Sequence, residues 1–386
     1  MPTEIRFGII GLGLMGREFA SAAARWFHLS NLDVRPVLVA VCDTNETALE
    51  WFEANVSTIH FTTTNYHELL QREDVDAIYC AVPHHLHAQF YRDIINAGKH
   101  LMGEKPFGID LAANRQIMET IECNPKVFVR CSSELPFYPG GIAIIQALMK
   151  EDFGQIIEVE SGLLHSSDIN PHKPINWKRM IEFNGEYGCM GDLGMHVLHI
   201  PLRFGWFPQR VHAQLSKIVT ERPDGKGGTA PCRTWDNATI FGEVELAKQG
   251  HLFPITFHTK RIAPGESNTW LIRVLGMKRS MAFSSKYPKT LQVMEYQPGG
   301  VQAWQHIDLG YQSAYPTITG GIFEFGFTDG ILQMWAAFCD ELAHGREKMR
   351  QPFYCATPQE AHQSHLILTQ ALASHAKDAV KASQNS

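Results

Sequence analysis

Asp192, His196 and His199 stand four and three residues apart within Gly185–Pro201, with Cys189 just before them. On a helix all three share one face. Three chemistries suit such a set. A metal site is the first, but positions i, i+4 and i+7 of a straight helix spread over about 10 Å. That is too far for bonds of about 2 Å to one ion without ligands from elsewhere, so no metal is expected. Acid–base work is the second: His196 titrates near neutrality and suits a hydroxyl proton. Asp192, one turn away, would orient it or bind a neighbouring hydroxyl. Packing is the third, with Gly194 allowing close approach of another backbone and Leu193, Val197 and Leu198 as core. Packing leaves the Asp–His pair unexplained.

A second set lies near the start, in "GIIGLGLMGREF". Gly11, Gly13 and Gly16 form G-x-G-x-x-G directly after an apolar strand and at the start of a helix. Gly11 allows the tight turn, Gly13 lets backbone approach a pyrophosphate, and Gly16 lets helix and strand pack closely. Leu12, Leu14 and Met15 complete a loop whose N–H groups open onto phosphates. Asp43 ends the second strand, "PVLVAVCD", somewhat beyond the usual offset of about 20 residues. Its carboxylate would accept from ribose hydroxyls and repel a 2′-phosphate. Thr44 and Asn45 follow, with no Arg to hold that phosphate, so NAD is expected rather than NADP.

A third set is "AVPHHLHAQFYRDIINAGKHLMGEKPFGID". Val82-Pro83 closes a strand, His87-Ala88 opens a helix, and Ala97-Gly98-Lys99-His100 and Glu104-Lys105-Pro106 follow. With the glycine loop and the later "DLGMH", the chain resembles the Gfo/Idh/MocA family of nicotinamide-dependent oxidoreductases, in the right order over most of its length. The resemblance implies that Lys105 lies beside the nicotinamide and the reacting carbon; in relatives the Lys-Pro bond is often cis. Lys105 also follows a short strand at the C-terminal edge of a parallel sheet, where α/β proteins place ligands. Partly desolvated beside a cationic ring, its pKa should fall. The cofactor is expected to meet Ala81, Val82, Pro83, His84, His87, Glu104 and Lys105. His87 either touches it or fixes a loop, and His84 and His85 also read as loop polar residues. The same resemblance implies that Asp192 and His196 contact the substrate, with the His as base. Two departures stand out. His199 occupies a place where relatives commonly have Asp, and "CSSELPFYPG", with Ser132, Ser133 and Glu134, replaces a run with Asn or Arg. His165, Trp177 and Arg179, in "LHSSDINPHKPINWKRM", are further candidates for sugar contact, as are His172 and Asn176.

The elements that must position these groups follow from the pattern. Over the first 130 or so residues short β-like runs alternate with helical stretches, the signature of a doubly wound parallel sheet. From about Gly154 the chain is strand-rich, with turn residues between runs, as in a mostly antiparallel open sheet. The expectation is α/β: a Rossmann domain over 1–132, then a substrate-binding and oligomerisation domain over 133–386. Thr357-Pro358-Gln359-Glu360 starts a last helix, about 357–381, expected to pack back on the first domain. "ERPDGKGGTAPCRTWD" reads as a mobile loop.

The 386 residues carry a net charge of -6, with Lys and Arg scattered, which gives no reason to expect nucleic acid or an anionic membrane. No apolar run approaches the roughly 20 residues of a membrane span. The start, "MPTEIRFGIIGLG", lacks a secretory pattern, and eight dispersed cysteines without CxxC fit reduced thiols, so a cytoplasmic protein is expected. The leading expectation is an NAD-dependent dehydrogenase of a secondary hydroxyl on a sugar or inositol-like polyol. His196 takes the proton, Lys105 assists and Asp192 positions. A glycoside hydrolase with recycled NAD and a non-catalytic dinucleotide sensor are the alternatives. A homodimer or homotetramer through the second sheet is expected.

Overall fold

The computed structural model describes residues 2–246, 250–310, 313–320 and 325–384, with side chains to residue 378. The described residues form two compact units, drawn from Met1–Gly108, Ala112–Phe137 and Tyr311–Pro358, and from Ile109–Leu111, Tyr138–Gly310 and Gln359–Ser386. The division therefore differs from a single cut after residue 132.

The first unit is built on six parallel strands: β1 (Thr3–Ile10), β2 (Val34–Cys42), β3 (Phe61–Thr63), β4 (Ala77–Cys80), β5 (His100–Gly103) and β6 (Val129–Cys131). Their order is β3-β2-β1-β4-β5-β6. Strands buried on both faces read as unbroken apolar runs, and β4 is buried throughout. The connections carry α1 (Leu14–Ala24), α2 (Glu46–Asn55), α3 (Tyr66–Leu70), α4 (His87–Asn96) and α5 (Leu111–Cys123). Asn45 and Asn65 cap α2 and α3 through their side-chain oxygens. The strand order turns back between β1 and β4, which is where an open parallel sheet leaves a crevice at its C-terminal edge.

The second unit contains α6 (Pro139–Met149), β7 (Ile156–His165), α7 (Ile181–Asn184), α8 (Cys189–Arg203), β8 (Arg210–Ser216), β9 (Glu221–Pro223), β10 (Thr229–Pro231), β11 (Asn237–Leu246), β12 (His251–Lys260), β13 (Asn268–Gly276), β14 (Arg279–Ser284), β15 (Thr290–Glu295) and β16 (Gln305–Asp308). Eight of these strands form one sheet in the order β16-β15-β14-β13-β7-β12-β11-β8, antiparallel except for β7 with β12. Strands β9 and β10 make a separate hairpin. The stretch 221–236 thus opens with an ordered hairpin over 221–231 rather than a plain loop, and the reason is Arg222: buried, it ties β9 to the carbonyls of Asp168 and Asn170. Helix α8 lies on the sheet, buried from Cys189 to Leu202. The Ser161 hydroxyl donates to the Val197 carbonyl (2.9 Å) and the Trp270 indole to that of His196 (3.1 Å).

Two later helices complete the chain, α9 (Phe327–His344) and α10 (Pro358–Gln384). Helix α10 belongs to the second unit from Gln359 onward. There Tyr187 reaches the hydroxyl of Thr369 at 2.6 Å. Helix α9 belongs to the first unit, because its aromatics complete that core. Trp335 stacks on Phe19, ring centres 3.6 Å apart, and meets Phe7 and Tyr79 edge-on. No helix among the described residues is long and apolar enough to cross a membrane. No disulfide joins the cysteines among the described residues.

Removal of that ring should open a cavity under the parallel sheet. Trp335→Ala is expected to lower unfolding free energy by about 3–5 kcal/mol in urea titrations. A change below about 1 kcal/mol would show that Trp335 is not the keystone of this core.

Candidate active site

In the first unit, Gly11 has φ +92°, and a Cβ there would sit 2.6 Å from the Ala81 carbonyl. Only glycine makes that turn without moving the chain at the end of β4. At Gly13 a Cβ would meet nothing within 4 Å, so the loop opens onto free space. Gly13 caps α1, no side chain accepts from its first turn, and no acidic residue stands there. The N–H groups of that turn are therefore available to an anion. The Asp43 carboxylate accepts from the N–H groups of Leu12 (2.7 Å) and Asn45 (2.9 Å), holding the glycine turn to the end of β2. Leu14 is exposed and Met15 half-buried, whereas Leu12 and Gly16 are buried. Ala81, Val82 and Pro83 are half-buried just beyond β4. A turn with open space over Gly13, bare N–H groups and a carboxylate at the strand end fits the pyrophosphate and ribose of NAD.

The turn carrying Lys105 is held from four sides. Tyr79 donates to Glu104 Oε1 (2.7 Å) and Tyr91 to the Glu104 carbonyl (2.8 Å). The Asn114 amide donates to the Phe107 carbonyl (3.0 Å). His87 Nε2 lies 3.0 Å from the Val82 carbonyl, and its Nδ1 accepts from the Gly108 N–H at 3.3 Å. His87 is fully buried and stacked on Tyr91, so it ties the β4 loop to the Lys105 loop. His84 is buried beside it and His85 half-buried. The Lys105–Pro106 bond is cis, and Phe107 adopts φ +70°, a left-handed conformation unusual for a bulky residue. Lys105 itself is half-buried.

In the second unit, Asp192 is buried between two cations. Lys178 Nζ lies 3.0 and 3.2 Å from its two oxygens, and Arg261 Nη1 donates at 2.5 Å. Arg261 Nε also lies 3.2 Å from Asp168. Asp168 pairs with Arg179, which donates its other end to Asp236 at 2.7 Å. Burial pushes Asp168 upward, but Arg261 and Arg179 hold it below the usual carboxylate range. Arg179, expected to touch sugar, has no exposed surface; its guanidinium is spent on this network. Trp177 and His165 are half-buried, and Lys178 lies over the Trp177 ring.

His196, one turn beyond Asp192, is 5% exposed. His199 is fully buried, and its Nε2 lies 2.5 Å from Arg203 Nη2 and 3.8 Å from Glu360 of α10. Burial first, then the charges of Arg203 and His196, keep His199 far below its usual pKa. Its neutral ring accepts from Arg203 and joins the end of α8 to α10. Among the described residues no group of three or more His, Cys, Asp and Glu is placed to hold a metal ion. Lys178, Arg261 and Asp168 escaped the sequence reading. Lys178 lay within a run singled out for other residues, and Arg261 is 69 positions from Asp192.

Residues 5–130 match the family described as "Oxidoreductase family, NAD-binding Rossmann fold". An uncharacterized oxidoreductase of Synechocystis is 26% identical over 311 residues, 78% of this chain and 77% of that protein. Levoglucosan dehydrogenase of Pseudarthrobacter phenanthrenivorans is 25% identical over 228 residues, 58% of this chain and 57% of that protein. A solved levoglucosan dehydrogenase in complex with NADH and levoglucosan superposes with a TM-score of 0.82 at 21% identity, over 97% of this chain and 98% of that one. That likeness establishes the fold over the span it covers. An α-N-acetylgalactosaminidase of Shewanella oneidensis is 23% identical over 187 residues, 45% of this chain and 39% of that protein.

The buried neutral His199 has a consequence for stability. Its folded pKa is depressed, so the unfolded chain binds the extra proton first. Its contribution is present above the ordinary His value of about 6.5 and is lost as pH falls below it. His199→Gln keeps an oxygen for Arg203 and cannot titrate. The wild-type melting temperature should therefore drop more between pH 7 and pH 5 than that of the variant, and equal drops would assign the acid loss elsewhere.

Proposed function

Because the N-terminal domain of this chain belongs to the Gfo/Idh/MocA family of NAD-binding oxidoreductases, we propose that the protein moves hydride from a secondary hydroxyl of a sugar or inositol-like polyol to NAD. The observation that carries this reading is the pair on α8: His196 buried one turn from Asp192, with Asp192 held between Lys178 and Arg261. Alcohol oxidation needs a base for the hydroxyl proton as hydride leaves the carbon, and a buried imidazole beside a fixed carboxylate suits that task. NAD, when bound, supplies the hydride acceptor.

Each residue then has a role. His196 takes the hydroxyl proton. Asp192, unable to swing because two cations grip it, fixes the position of a neighbouring hydroxyl or of Lys178 as a donor. Lys105, on its fourfold-held turn, hydrogen-bonds the reacting oxygen. Trp177 and His165 offer an aromatic face and a polar contact for the ring. Asp43 favours NAD over NADP by repelling a 2′-phosphate. The likeness to levoglucosan dehydrogenase supports a carbohydrate as substrate.

The test is NADH formation on a panel of aldoses, anhydrosugars, polyols and glycosides. His196→Ala is expected to lower kcat by about 10²–10⁴-fold, the usual worth of a general base. Lys105→Ala should also cut turnover, while both variants keep NAD binding. Full activity in both would overturn the assignment. The likeness to an α-N-acetylgalactosaminidase supports a second reading, glycoside cleavage with recycled NAD. Nitrophenol release without NADH accumulation would select it. We further propose a homodimer or homotetramer through the eight-stranded sheet, whose strands carry exposed Ile157, Phe241 and Leu252. Light scattering should give two or four chain masses, and a monomer at micromolar concentration would exclude it.

A further inference from the structure

Glu134 is a buried titratable group that the proposed reaction leaves unused. Its position follows from the sheet. Gly103 of β5 pairs with Cys131 of β6, and the next N–H, from Ser132, donates to the Gly103 carbonyl (2.9 Å). The chain after β6 thus runs beside the chain after β5, which is Glu104-Lys105-Pro106. Glu134 starts a tight turn, its carbonyl accepting from Phe137 (2.9 Å), among buried Leu135, Pro136 and Phe137. Glu134 is 5% exposed and Glu104 6%.

Two buried carboxyls therefore follow neighbouring strand ends at the sheet edge. Burial first and the charge of Glu104 second push Glu134 up to about 7, Glu18 of α1 adds to this, and Lys105 opposes it. Tyr79 of β4 completes the set: burial, then Glu104, hold its phenol well above its ordinary value, so it stays a donor to Glu104. Near neutral pH Glu134 exists in both protonation states, whereas neither Tyr79 nor an exposed carboxylate would.

We propose that Glu134 is the proton-exchange partner of Lys105: an N–H bond of the Lys105 ammonium breaks as an O–H bond forms on the Glu134 carboxylate. A neutral amine and a neutral acid replace the ammonium and the carboxylate, and the reverse transfer restores the two charges. Glu134 acts through Lys105 and is a positioning residue. This rests on the reading of Lys105 as the residue at the reacting oxygen. The neutral amine can accept from the substrate hydroxyl, the ammonium can only donate, and Glu134 decides which is present.

The test is an NMR pH titration of the full chain with NAD, using lysine labelled at Cε and glutamate labelled at the carboxyl. Lys105→Met and Glu134→Gln assign the two signals. The Lys105 signal is expected to show a step near pH 7 that Glu134→Gln abolishes and Glu134→Asp retains. The Glu134 carboxyl midpoint is expected to rise by about one unit in Lys105→Met, tenfold in the proton-binding constant. This second measurement needs no Glu134 variant, so it decides the matter even where Glu134→Gln does not fold. Unchanged Lys105 and Glu134 curves overturn the proposal. In turnover assays the kcat limb near pH 7 should vanish in Glu134→Gln. Coupled titration with full turnover in Lys105→Ala would sink the reaction reading alone. Lost turnover in Lys105→Ala with uncoupled titration would sink the present inference alone.

Discussion

A carboxylate taken out of water loses several kcal/mol of hydration unless cations replace it, and Asp192 lies on a helix buried from Cys189 to Leu202. Much of the second unit answers that one requirement. Lys178 and Arg261 grip Asp192; Arg261 reaches on to Asp168; Asp168 holds Arg179; Arg179 holds Asp236. Asp236 ends the chain by accepting from the N–H groups of Ile218 and Val219. The cations come from separate parts of the chain: Lys178 and Arg179 from the turn at Trp177, Arg261 from just beyond β12, and Arg222, which donates to the Asp168 carbonyl, from the hairpin. An irregular stretch between β7 and α7 thereby acquires a fixed course without a ladder of its own. Removing one partner would strand another charge, so the network behaves as a unit.

The same constraint explains what could be read from the chain and what could not. Local signals were legible. Gly11, Gly13 and Gly16 mark a turn that only glycine makes, and Asp192 and His196 declare themselves by sharing a helix face. The alternation of strands and helices, then of strands and turns, pointed to both sheets. Long-range pairing was not legible. Nothing near Arg261 says that it meets a carboxylate on α8, and Arg179 beside Trp177 looks like a sugar ligand until its burial is seen. Helix α9 illustrates the limit for whole elements. Its apolar pattern does not say whose core it completes, and the packing of Trp335 on Phe19, Phe7 and Tyr79 assigns it to the first unit. His199 is a further case: an imidazole in place of an acid reads as a change of chemistry, yet Arg203 and Glu360 make it a joint between two helices.

The two units prepare their ionisable groups in opposite ways, and the contrast bears on which of them move protons. Around Asp192 the counter-charges are opposite in sign, close and several, so the carboxylate is gripped in one position. Around Glu134 the largest charge effect comes from another carboxylate, Glu104, with Lys105 opposing it. Burial and repulsion there bring the charged and neutral forms to similar free energy. A group gripped between cations can orient; a group balanced between protonation states can exchange with little driving force. The physics therefore separates holding from transfer: Asp192 belongs to the machinery that positions, and Glu134 has the properties of one that trades a proton with its neighbour. The departure at "CSSELPFYPG" then stops looking like a loss of polar contacts. It substitutes a titrating carboxyl at the edge of the parallel sheet, where the turn bearing Lys105 is already held rigid by Tyr79, Tyr91, Asn114 and His87.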